Sequence, residues 1–417
     1  MSFDRIGIRP ARILLPADRV PRETWACIAC DQYTSEPAYW RKASETVGDA
    51  PSALRLILPE VNLKQSEHLI PGIHATMIRY LQENLLIPAV DPGFILCERT
   101  VPSGSRLGLI CAVDLEQYSF EKGSRPLVRP TEQTIASRLP PRLAIRRGAP
   151  MELTHIMILI DDPQRTVLEP LRARKDSLRK LYDFELMMNG GHLTGWAVDQ
   201  AADLKQVDES MNRLLDSLGT DPLLLAVGDG NHSLATAKAY WNELRKNLSD
   251  EERENHPARF ALCEIVNIHD EALLFEPIHR IITGTDPQLL LADWQTYAAA
   301  KGMTLDAAEG HRFTVVSAFG DRAVTVGHPE GAIPCETIQK FLDDFLFRHP
   351  KAEIDYIHGE QSLRTLAAMP GAVGFLLPEI NKKSFFSDVK KLGVLPRKTF
   401  SMGEADEKRF YMEAKEI

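Results

Sequence analysis

The chain has 417 residues, of which 44% are hydrophobic and 26% are charged, and its formal net charge is -9. This length predicts two or three domains, and the apolar content argues against a disordered chain. The acidic balance argues against general nucleic-acid binding, and no apolar stretch is long enough for a membrane span or a signal peptide, so we expect a cytoplasmic protein.

The first 120 residues predict strands at 13–16, 25–30 and 54–58, a helix at 66–87, and a hairpin of 94–99 with 106–113. Cys27 and Cys30 form a Cys-x-x-Cys pattern within the second of these strands. A redox role needs an exposed pair at the start of a helix, whereas a buried strand places the two thiols on opposite faces. Asp31 and Ser35 follow as turn and capping residues or, alternatively, as ligands.

A strand over 127–130 ends at Pro130, and Arg129 and Glu132 flank this end. One interpretation is a salt bridge at the start of a helix. The other makes Glu132 a catalytic carboxylate beside a basic phosphate clamp that includes Arg129. The basic patch at 138–147 is either a phosphate contact or a solvated face.

The stretch 223–237 predicts a buried strand, a tight turn and a helix. It follows a predicted strand at 156–160, a helix at 165–188, a strand at 192–198 and a helix at 203–218. Gly228 and Gly230 bracket Asp229, so the backbone can take positive φ there and approach a ligand closely. Asn231 or Ser233 is expected to cap the helix.

Polar groups are concentrated at this predicted turn. A helix N-terminus opened by glycines can hold an anion, because its first N–H groups have no partner within the helix. Asp229, Asn231 and His232 would lie at its mouth, where apolar residues would have sufficed for packing. The sequence therefore predicts an anion site here.

The last third predicts a capped helix after Ser249, strands at 260–268 and 274–282, and a linker at 283–287. A helix at 288–301, a hairpin at 311–328, a helix at 335–349 and strands at 354–359 and 373–377 follow. His279 and Arg280 lie inside a strand, where an unpaired guanidinium would be costly. The loop of Arg397, Lys398 and Thr399 is a phosphate clamp or a basic tail.

These elements predict a mixed α/β fold (α+β) with two units, 1–285 carrying the turn and a smaller C-terminal α/β unit at 286–417. The sequence has no P-loop, dinucleotide fingerprint, zinc-protease motif or nucleophile elbow. Phosphoryl transfer fits what remains, since it needs an anion cradle, cations and a carboxylate that acts on a hydroxyl.

Four stretches together resemble a large prokaryotic family that carries a domain-of-unknown-function label, number ten-fifteen; they are residues 25–35, 129–134, 227–237 and 395–403. The resemblance implies a sulfiredoxin/ParB-like core, in which the residues after the glycine open a helix that binds nucleotide phosphates. Free-serine kinases have this fold, and they use a glutamate to activate the serine hydroxyl.

Carried onto this chain, the resemblance matches Asp229 and His232 to the turn motif and makes Glu132 the candidate activating glutamate. The expected catalytic residues are therefore Glu132, Asp229 and His232. Asn231 stands where many relatives have histidine, and Ser233 where many have arginine. The implied cofactors are ATP or ADP with Mg²⁺, and no residue is predicted as a metal ligand. The expected phosphate- or nucleotide-binding residues are Gly228, Gly230, Asn231, Ser233, Arg129, His279, Arg280, Arg397, Lys398 and Thr399.

Two functions follow from these features. The first is a nucleotide-dependent small-molecule phosphotransferase, with free serine as one candidate substrate. The second is a nucleotide- or metabolite-binding sensor without catalysis, which Ser233 in place of arginine favours. ParB-like DNA binding is disfavoured by the net charge of -9. We expect a small-molecule partner, no nucleic acid and no membrane, and we leave open whether the chain forms a homo-oligomer.

Overall fold

The computed structural model of the chain describes residues 3–417 and divides into two compact units. The first unit extends to Leu274 and also includes Gly403–Ile417, and the second is Phe275–Met402. The mixed α/β class is confirmed. No helix within residues 3–417 is both long enough and apolar enough to cross a membrane.

The first unit is built on a 12-stranded mixed sheet. Its strands, with those of a separate two-stranded pair, are β1 Ile8–Arg9, β2 Ala11–Pro16, β3 Cys27–Ile28, β4 Leu86–Val101, β5 Gly104–Asp114, β6 Val128–Pro130, β7 Met151–Leu153, β8 Met157–Ile160, β9 Lys180–Glu185, β10 His192–Val198, β11 Leu225–Asp229, β12 Phe260–Asn267, and, after the second unit, β20 Phe410–Tyr411 and β21 Ala414–Glu416. Its α-helices are α1 Arg22–Trp25, α2 Pro37–Val47, α3 Ser66–Gln82, α4 Leu139–Arg146, α5 Glu169–Arg172, α6 Ala201–Asp216, α7 Asn231–Leu244 and α8 Asp250–Asn255.

The main path of this sheet has the order β6-β11-β8-β12-β5-β4-β2-β21-β7, and β3 pairs separately with β20. Strands β6 and β11 run parallel, as do β8 and β12. Alternate residues of β5 enter two different hydrophobic clusters, Leu109 and Cys111 in one and Ile110 and Ala112 in the other. The centre of the sheet is therefore covered on both faces, which agrees with the short unalternating apolar stretches of its strands.

The second unit has a 7-stranded sheet. Its strands are β13 Phe275–Thr283, β14 Thr304–Leu305, β15 His311–Ser317, β16 Gly320–Gly327, β17 Glu353–His358, β18 Val373–Leu376 and β19 Phe400–Met402. The main path of this sheet has the order β14-β16-β15-β18-β13-β17, and β19 pairs with β13. Its helices are α9 Pro287–Ala300, α10 Pro334–Arg348, α11 Glu360–Ala367 and α12 Phe385–Leu392.

The observed units differ from the predicted division at residue 285. β13 pairs with β17, β18 and β19, so it belongs wholly to the second sheet. At the other end, β21 pairs with β2 and β7 of the first sheet, so the last residues of the chain return to the first unit. A composition break marks a loop, but it does not show which sheet the strands before and after the loop join.

Two predicted elements are wrong. Instead of a strand at 54–58 there is a 3₁₀ turn at Ala53–Arg55, because the hydroxyl of Ser52 accepts a hydrogen bond from the N–H of Leu54 and caps it. Instead of a helix at 165–188 there are the four-residue α5 and then β9. In β9 the buried Tyr182 and Phe184 alternate with exposed neighbours, which is the two-residue period of a strand.

Candidate functional site

The predicted strand, turn and helix are confirmed as β11, Gly230 and α7. Gly230 occupies the N-cap position with φ 81°, and a Cβ there would lie 3.1 Å from the Cα of Ile156. A glycine is therefore favoured on two grounds, the positive φ and the close approach of Ile156. Gly228 lies within β11, and its φ is not positive.

Asn231 does not cap α7, contrary to the prediction. Its side chain is buried and turns toward Thr131, whose backbone N–H donates to Asn231 Oδ1 at 3.1 Å. Asn231 Nδ2 donates in return to Thr131 Oγ1 at 3.3 Å, and that hydroxyl donates to the carbonyl of Val227 at 2.5 Å. The amide thus joins the chain that follows β6 to the start of α7.

A second contact joins the same two segments. The backbone N–H of Ile135 donates to His232 Nε2 at 3.4 Å. Because this nitrogen accepts, a neutral His232 carries its proton on Nδ1. Residues 131–135 are therefore tied at both ends to the first two residues of α7, and Glu132, which is partly exposed, lies inside the tied segment.

Asp229 is held at the turn by its neighbours. Its Oδ1 accepts from the N–H of Gly230 at 2.9 Å, and its Oδ2 lies 3.5 Å from Lys408 Nζ. The ammonium group of Lys408 thus brings a cation from the last segment of the first unit to the turn. Sequence reasoning missed Lys408, because it is 179 residues from Asp229 and lies in no motif.

Buried Arg99 anchors the backbone that carries Lys408. Its guanidinium donates to the carbonyls of Asp406, Glu407 and Lys408. Burial, followed by the nearby charge of Arg106, lowers the pKa of Arg99 to about 9. Lys408 is consequently presented by a fixed backbone rather than by a free tail.

Ser233 lies on the first turn of α7 and does not cap it either. Its hydroxyl is 2.9 Å from His155 Nε2, and the ring of His155 contacts the ring of Tyr411 edge-on with centroids 5.2 Å apart. Tyr411 in turn donates from its hydroxyl to Cys30 Sγ at 3.1 Å. His155 was not singled out from the sequence, because it follows β7 and shares no motif with α7.

The two cysteines of the Cys-x-x-Cys pattern are both free thiols, with Cys27 in the two-residue β3 and Cys30 beyond it. Burial raises the pKa of both, that of Cys30 to about 12 with a further contribution from Asp31. Such thiols stay protonated and are poor nucleophiles and metal ligands. Within residues 3–417 no group of three or more His, Cys, Asp or Glu side chains has the arrangement of a metal site.

Arg129 forms a salt bridge, as one of the two interpretations predicts, but its partner is Asp221 and not Glu132. Its side chain is buried, its Nη2 lies 2.5 Å from Asp221 Oδ1, and its Nε donates to the carbonyl of Pro126 at 2.9 Å. The guanidinium therefore fastens β6 to the loop that precedes β11. Its phosphate-binding role stays a prediction.

The remaining expected phosphate-binding residues lie in the second unit. Fully buried Arg280 donates from Nη2 to Cys335 Sγ at 3.0 Å and to the carbonyl of Arg397 at 3.2 Å. The guanidinium groups of Arg280 and Arg397 lie 5.2 and 5.5 Å from the ring centroid of Tyr356. The structure thus brings Arg280 and Arg397 together. The buried guanidinium of Arg280 is hydrogen-bonded and not left unpaired.

His279 and Thr399 are also engaged within the second unit. His279 Nδ1 accepts from the N–H of Leu377 at 3.2 Å, and burial lowers the pKa of His279 to about 4. Thr399 Oγ1 lies 3.3 Å from Cys335 Sγ, and Lys398 between Thr399 and Arg397 has φ 56°. The predicted participation of these residues in the site at Asp229 stays a prediction.

A family model described as "Protein of unknown function (DUF1015)" matches residues 8–345. Among solved structures, a mutant free serine kinase in complex with AMP is 12% identical, with a TM-score of 0.40, and the match covers 72% of this chain and 90% of that one. A mutant free serine kinase in complex with ADP matches with the same identity, TM-score and coverage. A conserved hypothetical protein from Pyrococcus furiosus is 13% identical, with a TM-score of 0.37 and coverage of 73% and 94%.

No curated protein matches the chain. TM-scores below 0.5 do not by themselves indicate a shared activity.

Proposed function

The chain belongs to the DUF1015 family, and from this premise we propose that it is a nucleotide-dependent phosphotransferase for a small molecule with a hydroxyl group. The phosphoryl donor is ATP or ADP, assisted by Mg²⁺, and free serine is one candidate acceptor. The proposed site is the first turn of α7 with Asp229, His232, Glu132 and Lys408 around it.

The observation that carries the proposal is the position of Glu132 between two hydrogen bonds to α7. Thr131, one residue before it, bonds to Asn231, and Ile135, three residues after it, bonds to His232. The segment that carries Glu132 is therefore held against the N-terminus of α7, which supports a carboxylate and a helix N-terminus acting together. Phosphoryl transfer to a hydroxyl uses such a pair, one member for the proton and the other for the phosphate.

The turn fits the phosphates of a nucleotide. α7 has 14 residues, and its N-cap is Gly230, which has no side chain to accept hydrogen bonds from the first-turn N–H groups. Those N–H groups, together with Lys408, would hold the phosphate oxygens. When bound, the nucleotide supplies the phosphoryl group. Mg²⁺ is usually held by one or two carboxylates and by phosphate oxygens, and Asp229 is the carboxylate at this turn.

The chain's own residues then have distinct tasks. Glu132 would accept the proton of the substrate hydroxyl as the substrate oxygen bonds to phosphorus and the bond from phosphorus to the bridging oxygen of the donor breaks, which would leave ADP from ATP or AMP from ADP. A well-placed base contributes about 10²- to 10⁴-fold to such a step. Asp229 orients Lys408, and His232 is placed by Ile135 to donate from Nδ1–H. Asn231 positions the strand end that carries Glu132 and does not contact the phosphate in this account.

A second candidate function is a nucleotide- or metabolite-binding sensor. The observation that favours it is Ser233, which stands where the resemblance has arginine and whose hydroxyl is engaged by His155. Without that arginine the first turn of α7 has one cation fewer for a transferring phosphoryl group. Lys408 at the same turn is the reason for ranking the phosphotransferase first.

Turnover distinguishes the two functions. The purified full chain is incubated with ATP or ADP, Mg²⁺ and a panel of hydroxyl compounds that includes serine, and phosphorylated product is detected by mass spectrometry. The phosphotransferase predicts product with at least one acceptor. Tight ADP binding by calorimetry without product from any acceptor would favour the sensor. The absence of nucleotide binding would contradict the phosphotransferase and a nucleotide sensor, and would leave only a sensor of another metabolite.

A further inference from the structure

A pocket of about 150 Å³ lies within the first unit, and Ser233 and Thr236 of α7 form part of its lining. Most of the other lining side chains are apolar, among them Leu58, Met77 and Met151. A dry cavity of about this volume holds a benzene ring in another protein. The pocket therefore has room for a branched or cyclic hydrocarbon group next to the proposed phosphate site.

Two buried polar atoms in the lining have no hydrogen-bond partner in the described structure. They are Arg146 Nε and His155 Nδ1. Arg146 already uses Nη2 to contact Glu152 Oε2 at 2.7 Å, and His155 already uses Nε2 to contact Ser233. Leaving a buried donor or acceptor unpaired is costly, so a polar ligand group that reached these two atoms would be favoured.

The requirement of each atom defines the chemistry of that ligand. The Nε–H of Arg146 is a donor and takes an oxygen acceptor such as a carboxylate. His155 Nδ1 either accepts or donates, depending on which way the hydrogen bond to Ser233 runs, and a hydroxyl group satisfies both cases. A carboxylate and a hydroxyl on one apolar body would thus complete the lining.

We infer that this pocket binds a small hydroxycarboxylic acid with a branched or cyclic hydrocarbon body, and that such a compound rather than serine is the acceptor substrate. The inference rests on the proposed function, because it assigns the pocket to the molecule that is phosphorylated at α7. Serine has a single carbon in its side chain and would leave the apolar part of the pocket unfilled.

The test is calorimetric titration of the full chain with 2-hydroxy-4-methylpentanoate, L-serine and 4-methyl-2-pentanol. The hydroxy acid is expected to bind at least tenfold more tightly than serine. Ala149→Phe fills the pocket, since Ala149 is buried in its lining, and is expected to abolish this binding. Ala202→Phe, on the exposed face of α6, is the matched control and is expected to bind as the unchanged chain does.

A second variant keeps the test decisive if Ala149→Phe does not fold. Arg146→Lys retains a positive charge for Glu152 but removes Nε. This substitution is expected to weaken binding of the hydroxy acid about tenfold. The affinity for 4-methyl-2-pentanol, which has no carboxylate, is expected to stay unchanged. If the affinity for both compounds falls equally, or if neither affinity changes, the role of Arg146 as the carboxylate partner is overturned.

Two further outcomes separate this inference from the proposed function. Competition between adenosine and the hydroxy acid would show that the pocket receives the nucleotide base, and equal affinity for serine would show that the apolar lining does not select; either result overturns the inference alone. Binding of the hydroxy acid by a chain that does not bind ADP would overturn the proposed function and leave the binding site standing.

Discussion

Thr131 and Asn231 lie 100 residues apart in the chain and form two hydrogen bonds with each other, N–H to Oδ1 at 3.1 Å and Nδ2 to Oγ1 at 3.3 Å. Both side chains are buried. The pair fixes the end of β6 against the start of α7, and so fixes the position of Glu132 relative to the turn.

Asn231→Ala is expected to destabilise the chain by about 1–3 kcal/mol, because the buried N–H of Thr131 loses its acceptor. Urea unfolding followed by circular dichroism measures the loss. Thr131→Ser is the matched control, since it keeps both the N–H and the hydroxyl. An Asn231→Ala chain as stable as the control would contradict the role given to the pair.

Gly230→Ala is expected to cost more free energy of unfolding than Gly219→Ala. Both glycines have positive φ, 81° and 74°, so both substitutions pay a conformational cost of about 1–2 kcal/mol. Only at Gly230 does the new Cβ approach a backbone atom, Ile156 Cα at 3.1 Å, whereas nothing lies within 4 Å at Gly219. Equal losses in the free energy of unfolding, measured with urea, would show that a Cβ at Gly230 meets no steric cost.

Lys408→Met is expected to weaken ADP binding about tenfold, because a charge-assisted contact to phosphate is removed. Calorimetry with ADP measures the change. Lys122→Met, at an exposed position of the same unit, is the control and is expected to leave the affinity unchanged. A similar loss in both variants would indicate a general charge effect, and no loss in Lys408→Met would remove Lys408 from the site.

His279 predicts a pH dependence for the second unit. Burial lowers its pKa to about 4, below the value near 6.5 of an unfolded chain, so the unfolded state binds the proton more readily. Its contribution to stability is therefore present above about pH 6.5 and is lost as the pH falls toward 4. His279→Asn should reduce the change of the urea midpoint with pH over this range. His68→Asn, at an exposed position, should leave that change as it is. Identical slopes would contradict a neutral buried His279.

The sequence predicted the local parts of the site well. β11, the glycine turn and the buried face of α7 at Leu234, Ala237 and Trp241 follow from apolar periodicity and from the conformational freedom of Gly230, which are properties of neighbouring residues. The strand ending at Pro130 was found in the same way. These features needed no information from distant parts of the chain.

The missed parts depend on contacts between residues far apart in sequence. Lys408 at Asp229 and His155 at Ser233 are brought in by the last segment of the chain and by the stretch between β7 and β8, and no spacing rule relates them to α7. The prediction that Asn231 caps α7 was wrong for a related reason. Its side chain has a distant partner in Thr131, which competes with the local cap.

The most direct test of the account is single-turnover phosphoryl transfer by Glu132→Gln, with ADP affinity measured on the same preparation. The account predicts a rate lower by about 10²- to 10⁴-fold and an unchanged affinity, because the glutamine keeps the size of the side chain but accepts no proton. Glu251→Gln, at an exposed position of α8, is the control and should retain both. A Glu132→Gln chain that transfers phosphate at the unchanged rate would contradict the assignment of Glu132 and with it the proposed site.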